Sequence, residues 1–232
     1  MRFSILLVIL FIGYLSASAQ STETRNVSAF EGVEVSGKLA TTLRRGPHRV
    51  VVSGKPADLE RLETRVENGR LRVYLRPDKS WGGSWKRMGK VEVAITAPDL
   101  DYIGFNGSGS LKTMDRFNAE KLTIDMNGSG DMEVAAEARE LHIGQNGSGS
   151  LRVSGDAQRV RVKKNGSGSL DAPRLSAATV QVKANGSGLS RLHAANELEV
   201  EINGSGSLTY SGNPRLRTDI NGSARVYQAD RQ

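Results

Sequence analysis

The tetrapeptide Asn-Gly-Ser-Gly begins at Asn106, Asn127, Asn146, Asn165, Asn185 and Asn203, and a variant, Asn-Gly-Ser-Ala, begins at Asn221. Residues of these types can do several kinds of chemistry. Gly-x-Gly loops cradle phosphate when a helix opens behind them, and the nucleoside triphosphate type adds Lys-Ser/Thr. Here strand-like residues follow each copy instead. Glycine-rich β-roll turns bind calcium through a following Asp, yet only Asp131 directly follows a copy. Every Asn-Gly-Ser is also a formal glycosylation sequon, as is Asn26-Val27-Ser28. The remaining role is mechanical. Gly adopts positive φ freely, Asn tolerates left-handed conformations, and identical Asn side chains in register can bond along a ladder. The seven Asn are therefore read as structural turns.

Nucleophilic catalysis finds little material. The chain has no Cys and three His, at His48, His142 and His193, too scattered for a zinc site or an imidazole base beside a nucleophile. No metal or other cofactor is expected. Two groups of residues are candidates for ligand binding. Aligned repeats bring Arg161, Lys163, Lys164 and Lys183 near one another, a patch suited to an acidic glycan or envelope polysaccharide. Both tryptophans lie in Trp81-Gly-Gly-Ser-Trp85-Lys86-Arg87, where Trp beside cations suits stacking on sugar rings. A solvated face balanced by Glu199 and Glu201, and a capping loop, are the plainer readings of the two.

The elements that must position these residues follow from spacing. The Asn starts recur every 18 to 21 residues, the period of a solenoid. Before them stand Leu122–Met126, Leu141–Gln145, Val160–Lys164, Val180–Ala184, Leu198–Ile202 and Leu216–Ile220. Their first and third positions are apolar apart from Thr218, and the second and fourth are polar or Gly. Period two means strand, with one face inward. An apolar residue returns after each corner at Leu111, Met132, Leu151, Leu170, Leu208 and Val226, and one position early, at Leu189, in the fifth copy. One repeat is too small to bury its own face, so stacked coils must bury a continuous column. Upstream, Val33–Gly37 and Val51–Gly54 read as diverged rungs, Ala57–Glu63 as one or two helical turns, and Glu67-Asn68-Gly69-Arg70 as a hairpin turn.

With 232 residues, few aromatics and 26 Gly, the composition suits regular β structure rich in turns. Arg2, the apolar run Ile5–Leu15 and Ala17-Ser18-Ala19 read as a signal peptide cleaved after Ala19. The expected product is exported, to the periplasm, the outer surface or the medium. Without Cys it has neither a lipoprotein anchor nor a disulfide, and no later segment is apolar enough to span a bilayer. The formal charge is +7, but basic and acidic residues are well mixed, which favours mild contact with anionic surfaces and no nucleic-acid partner.

The segments FEGVEVSGKLATTLRRG, VVVSGKPADLERLETRVENGRLRVYL and VEVAITAPDLDYIGFNGSGSL, in that order and followed by repeated Asn-Gly-Ser-Gly, resemble the head GIN domain family of auto-transporter adhesins. The resemblance spans Val27 to Tyr210. It implies an exported bacterial protein, a right-handed parallel β-solenoid and no catalytic residues. The residues after Asn203 supply no set of amphipathic barrel strands, so the auto-transporter half of that description finds no support in the sequence, and the adhesin half is an analogy from fold class. The expected organisation is a signal peptide over 1–19, a mature N-terminal segment over 20–26, and one solenoid domain over 27–229, with irregular rungs over 27–99 and the repeats over 100–229. The expected function is a non-enzymatic adhesion or scaffold protein that binds glycan and can self-associate. The alternative is a carbohydrate-active enzyme on the same scaffold.

Overall fold

A computed structural model describes residues 20–76 and 89–229. The irregular start comprises β1 (Ser21–Arg25), β2 (Gly32–Ser36), β3 (Ala40–Arg45), β4 (Arg49–Gly54), the single turn α1 (Pro56–Leu59), β5 (Leu62–Glu67), β6 (Arg70–Leu75) and β7 (Glu92–Ala97). Of the two expected diverged rungs, one forms. β2 pairs in parallel with the first repeat strand, with Ser36 opposite Asn106. Val51–Gly54 does not. It lies in β4, which pairs antiparallel with β1 and β7. Its apolar pattern fits either direction, and the short connection from β3 to β4 turns the chain back on itself. The hairpin turn is present, with Glu67 opposite Arg70 and both Asn68 and Gly69 at positive φ. Pro56 opens α1 at a position where its missing N–H costs nothing. That turn buries Leu59 against β4.

The repeats form β8 (Tyr102–Gly107), β9 (Ser110–Thr113), β10 (Phe117–Gly128), β11 (Asp131–Gly147), β12 (Ser150–Asn165), β13 (Ser169–Ala172), β14 (Leu175–Gly186), β15 (Leu189–His193), β16 (Glu197–Gly204), β17 (Ser207–Ser211), β18 (Arg215–Gly222) and β19 (Arg225–Gln228). Each coil pairs in parallel with the coils before and after it, in a register that sets Asn106, Asn127, Asn146, Asn165, Asn185, Asn203 and Asn221 in one column. The result is a stacked parallel β-solenoid of about seven turns. The alternating residues Leu122, Ile124, Leu141, Ile143, Val160, Val162, Val180 and Val182 are all buried. Each such side chain contributes about 1.5–3 kcal/mol, which is why the column forms only when coils stack.

The corners are shaped by backbone contact between coils. Gly147 has φ 114°, and a Cβ there would overlap the carbonyl oxygen of Gly128 in the coil beneath. Outside the corner the Asn side chains form a directed ladder. Each Nδ2 donates to the Oδ1 one coil earlier, at 2.8 to 3.2 Å, from Asn203 down to Asn106. At the bottom, Asn106 Nδ2 donates to Glu34 Oε1 at 2.9 Å. The aligned amide dipoles put their positive end at that point, where the Glu34 carboxylate meets it, as an acid meets a helix N-terminus.

The fifth repeat departs from the expected spacing. Leu189 is exposed, and Ser190 takes the buried column position opposite Leu170 and Leu208. Backbone pairing fixes the register here and overrides the side-chain preference. Space is filled from another coil: Lys164 points into the lumen, 3% exposed, and its Nζ donates to the Leu189 carbonyl at 2.9 Å. Gln145 stands one coil earlier in the same column and donates to the carbonyls of Gly149 and Ser169.

Candidate functional site

On the outer surface, the strands before the Asn corner carry two columns. One runs Tyr102, Thr123, His142, Arg161, Gln181, Glu199, Arg217, and the other Gly104, Asp125, Gly144, Lys163, Lys183, Glu201, Asp219. The columns bring Arg161, Lys163 and Lys183 together on one face. They do not bring Lys164, the last of the five residues before its Asn, which shares the inward side with the first and third of them. Arg161 lies 3.0 Å from His142 Nε2 and 3.6 Å from Glu140. Lys183 donates to Glu201 at 2.7 Å. Lys163 is exposed, has no ion pair among the described residues, and stands beside Gly144, over which the Asp125 carboxylate lies. Burial, then Lys121 and Arg161, hold the His142 imidazole below its usual pKa. The Arg159 hydrogen bond keeps the Glu140 carboxyl below the carboxylate range. The patch is thus a band of exposed, solvent-screened pairs that add little to the fold, with Lys163 as its accessible cation.

A second feature was missed by sequence reasoning. Where each coil bends just before this face, an open groove of about 720 Å³ runs across five successive coils. Ala119, Ala138, Ala157 and Ala177 line it in register. Asn118, Glu137, Asp156 and Ser176 form one side, and Glu120, Arg139 and Gln158 the other. The signal was available, since each Ala lies eight positions before a corner Asn. Small residues at a bend leave the surface concave. Arg139 pairs with Glu120 at 2.9 Å, and Arg116 with Asp156 at 2.7 Å and Glu137 at 3.9 Å. Such exposed pairs can exchange for ligand hydroxyl groups at little cost.

The imidazoles are apart and structurally engaged. His48 Nε2 meets the backbone of Phe30, and His193 Nδ1 lies 3.0 Å from Ser211 Oγ. No cluster of metal-ligating side chains occurs among the described residues, and no helix there is long and apolar enough to cross a membrane. Trp81, Trp85, Lys86 and Arg87 lie outside the described residues.

Stacked parallel coils with a continuous outer groove define a β-solenoid repeat protein. Residues 29–214 match the family model described as "Putative auto-transporter adhesin, head GIN domain", and the chain belongs to that family. Solved structures share the fold. A putative adhesin from Bacteroides fragilis is 20% identical, with TM-score 0.80, covering 92% of this chain and 98% of its own. A putative lipid binding protein from Parabacteroides distasonis is 19% identical, with TM-score 0.72 and the same coverage. A putative adhesin from Parabacteroides merdae is 15% identical, with TM-score 0.68, again covering 92% and 98%. No curated protein matches the chain.

Proposed function

We propose that the chain is an exported, non-enzymatic adhesion protein that binds extended glycan along its outer surface. The observation that carries this reading is the groove, which repeats one shape coil after coil at about 4.8 Å. A periodic trough with hydrogen-bonding sides suits a periodic polymer better than a compact metabolite. Arg161, Lys163 and Lys183 on the adjoining face favour acidic polymers, with Lys163 the residue free to exchange partners. The signal-like segment over 1–19 and the adhesin names of the family and its structural neighbours support export and adhesion.

The in-register carboxylates Glu137 and Asp156 are the one observation that favours a carbohydrate-cleaving enzyme. A general acid must hold its proton near neutral pH, which calls for burial or an unpaired acidic neighbour. Both residues are exposed and both lie against Arg116, which supports binding over cleavage.

A glycan array probed with the purified protein tests the proposal. Ser176→Trp fills the groove from an exposed position and is expected to abolish binding to every positive glycan. Lys163→Glu is expected to weaken acidic glycans about tenfold and leave neutral ones unchanged. An array with no positive glycan for the parent would rule out the glycan reading.

A further inference from the structure

We propose that two copies of the chain join end to end through β18, as an antiparallel, two-fold symmetric pair centred on Thr218. The two ends of the solenoid differ. At the starting end the edge strands are β1 and β5, and the apolar side chains there, Leu59 and Leu62, are buried. At the other end, β18 pairs with β16 alone among the described residues, and its core column opens to solvent. Leu216 and Ile220 are 39% and 37% exposed, whereas Leu198 and Ile202, their counterparts one coil earlier, are 0% and 3%. An open strand edge bearing apolar side chains is a template for pairing with another strand.

Backbone direction and charge together select the partner and its register. The Arg215 N–H donates to the Asn196 carbonyl at 2.8 Å. Alternation along a parallel ladder then turns the N–H and C=O of Leu216, Thr218 and Ile220 toward the open edge. An antiparallel strand must match edge-facing residues with edge-facing residues. Centring on Thr218 does so: Leu216 exchanges hydrogen bonds with Ile220 of the second copy, Thr218 with Thr218, and Ile220 with Leu216. The same register sets Arg217 across from Asp219 of the second copy, twice by symmetry. Shifting the centre to position 217 or 219 sets Arg217 against Arg217, or Asp219 against Asp219. β18 is therefore complementary to itself in this register, in side-chain polarity, hydrogen bonding and charge. Such an interface is isologous and closes at two copies.

Sedimentation velocity of the purified chain across concentration tests this. A monomer–dimer equilibrium is expected. Asp219→Arg or Arg217→Asp alone should raise the dimer Kd about 10- to 100-fold, since each reversal replaces two opposite-charge pairs by like-charge pairs. The Arg217→Asp/Asp219→Arg double variant should recover the parent Kd, and an equal mixture of the two single variants should form a mixed dimer. Both residues are exposed, so the strand signal in circular dichroism should be unchanged throughout. Backbone hydrogen exchange at Thr218 supplies a readout free of substitutions and should slow as concentration rises. A parent chain monomeric at every concentration, or a dimer indifferent to both reversals, overturns the proposal.

Discussion

Gly147→Val is expected to destabilise the protein by about 4 kcal/mol or more, a large share of the about 5–15 kcal/mol by which whole domains are stable. Two costs add. At φ 114° a β-branched residue is strained by about 1–3 kcal/mol. The new Cβ also overlaps the Gly128 carbonyl oxygen and stands 3.1 Å from its carbon. Those atoms are backbone already bonded within the stack, since the N–H groups of Ser148 and Gly149 donate to that same carbonyl. No rotamer change can relieve the overlap, and the coils would have to separate. Ser148→Val in the same corner is the control: Ser148 is exposed, and its substitution should change stability by less than about 0.5 kcal/mol. Urea titrations of both variants compare them directly. A Gly147→Val protein within about 1 kcal/mol of the parent would show that the coils are not held by this contact.

Lys164→Met is expected to stabilise the protein at pH 7 by about 1–2 kcal/mol, the reverse of most core substitutions. Burial pushes the Lys164 ammonium down from 10.5 to about 8, and the Leu189 carbonyl is its one acceptor among the described residues. A displacement of that size corresponds to about 3 kcal/mol, from which the lost hydrogen bond subtracts about 1 kcal/mol. Met keeps the length and fills the same space. The pH dependence identifies the cause. The unfolded chain holds this proton up to about 10.5, whereas the folded chain releases it near 8. Between those values unfolding takes up a proton, so the parent gains stability as pH rises, and below about 8 its penalty is constant. The advantage of the variant should therefore be full at pH 7 and shrink toward pH 10.5. An advantage that is absent at pH 7, or that stays constant across this range, would count against a buried charge.

How much was legible depended on whether the repeat itself carried the signal. The Asn column, the inward side chains and the Asn68-Gly69 hairpin could be read because period and turn chemistry state them locally. Val51–Gly54 could not be assigned a direction, because alternation is the same for parallel and antiparallel partners. Leu189 misled because hydrophobicity was allowed to shift a register that the corner glycines and the backbone ladder had already fixed. A strict count of five from Asn185 lands on Ser190. Lys164 misled for the complementary reason: a charged residue is usually outside, but strand parity places this one within. The groove went unseen because small residues at a bend carry no pattern of polarity, and only their constant distance from the Asn corners marks them.

The corners also determine how such a chain can change its length. Asn165 bonds to Asn146 across a spacing of 19 residues, and the repeat strands pair through their backbones only with the coils on either side. A gene segment encoding one coil can be duplicated or lost with both neighbours still meeting through the same corner, whereas losing a single residue within a paired strand turns that strand inside out. Changes in the length of the rod therefore come in whole-coil steps, while single-residue differences, seen in spacings of 18 to 21 residues, fall between the paired strands. Each step lengthens or shortens the Asn ladder and the outer groove together, so the reach of the surface can change without redesign of any part of it.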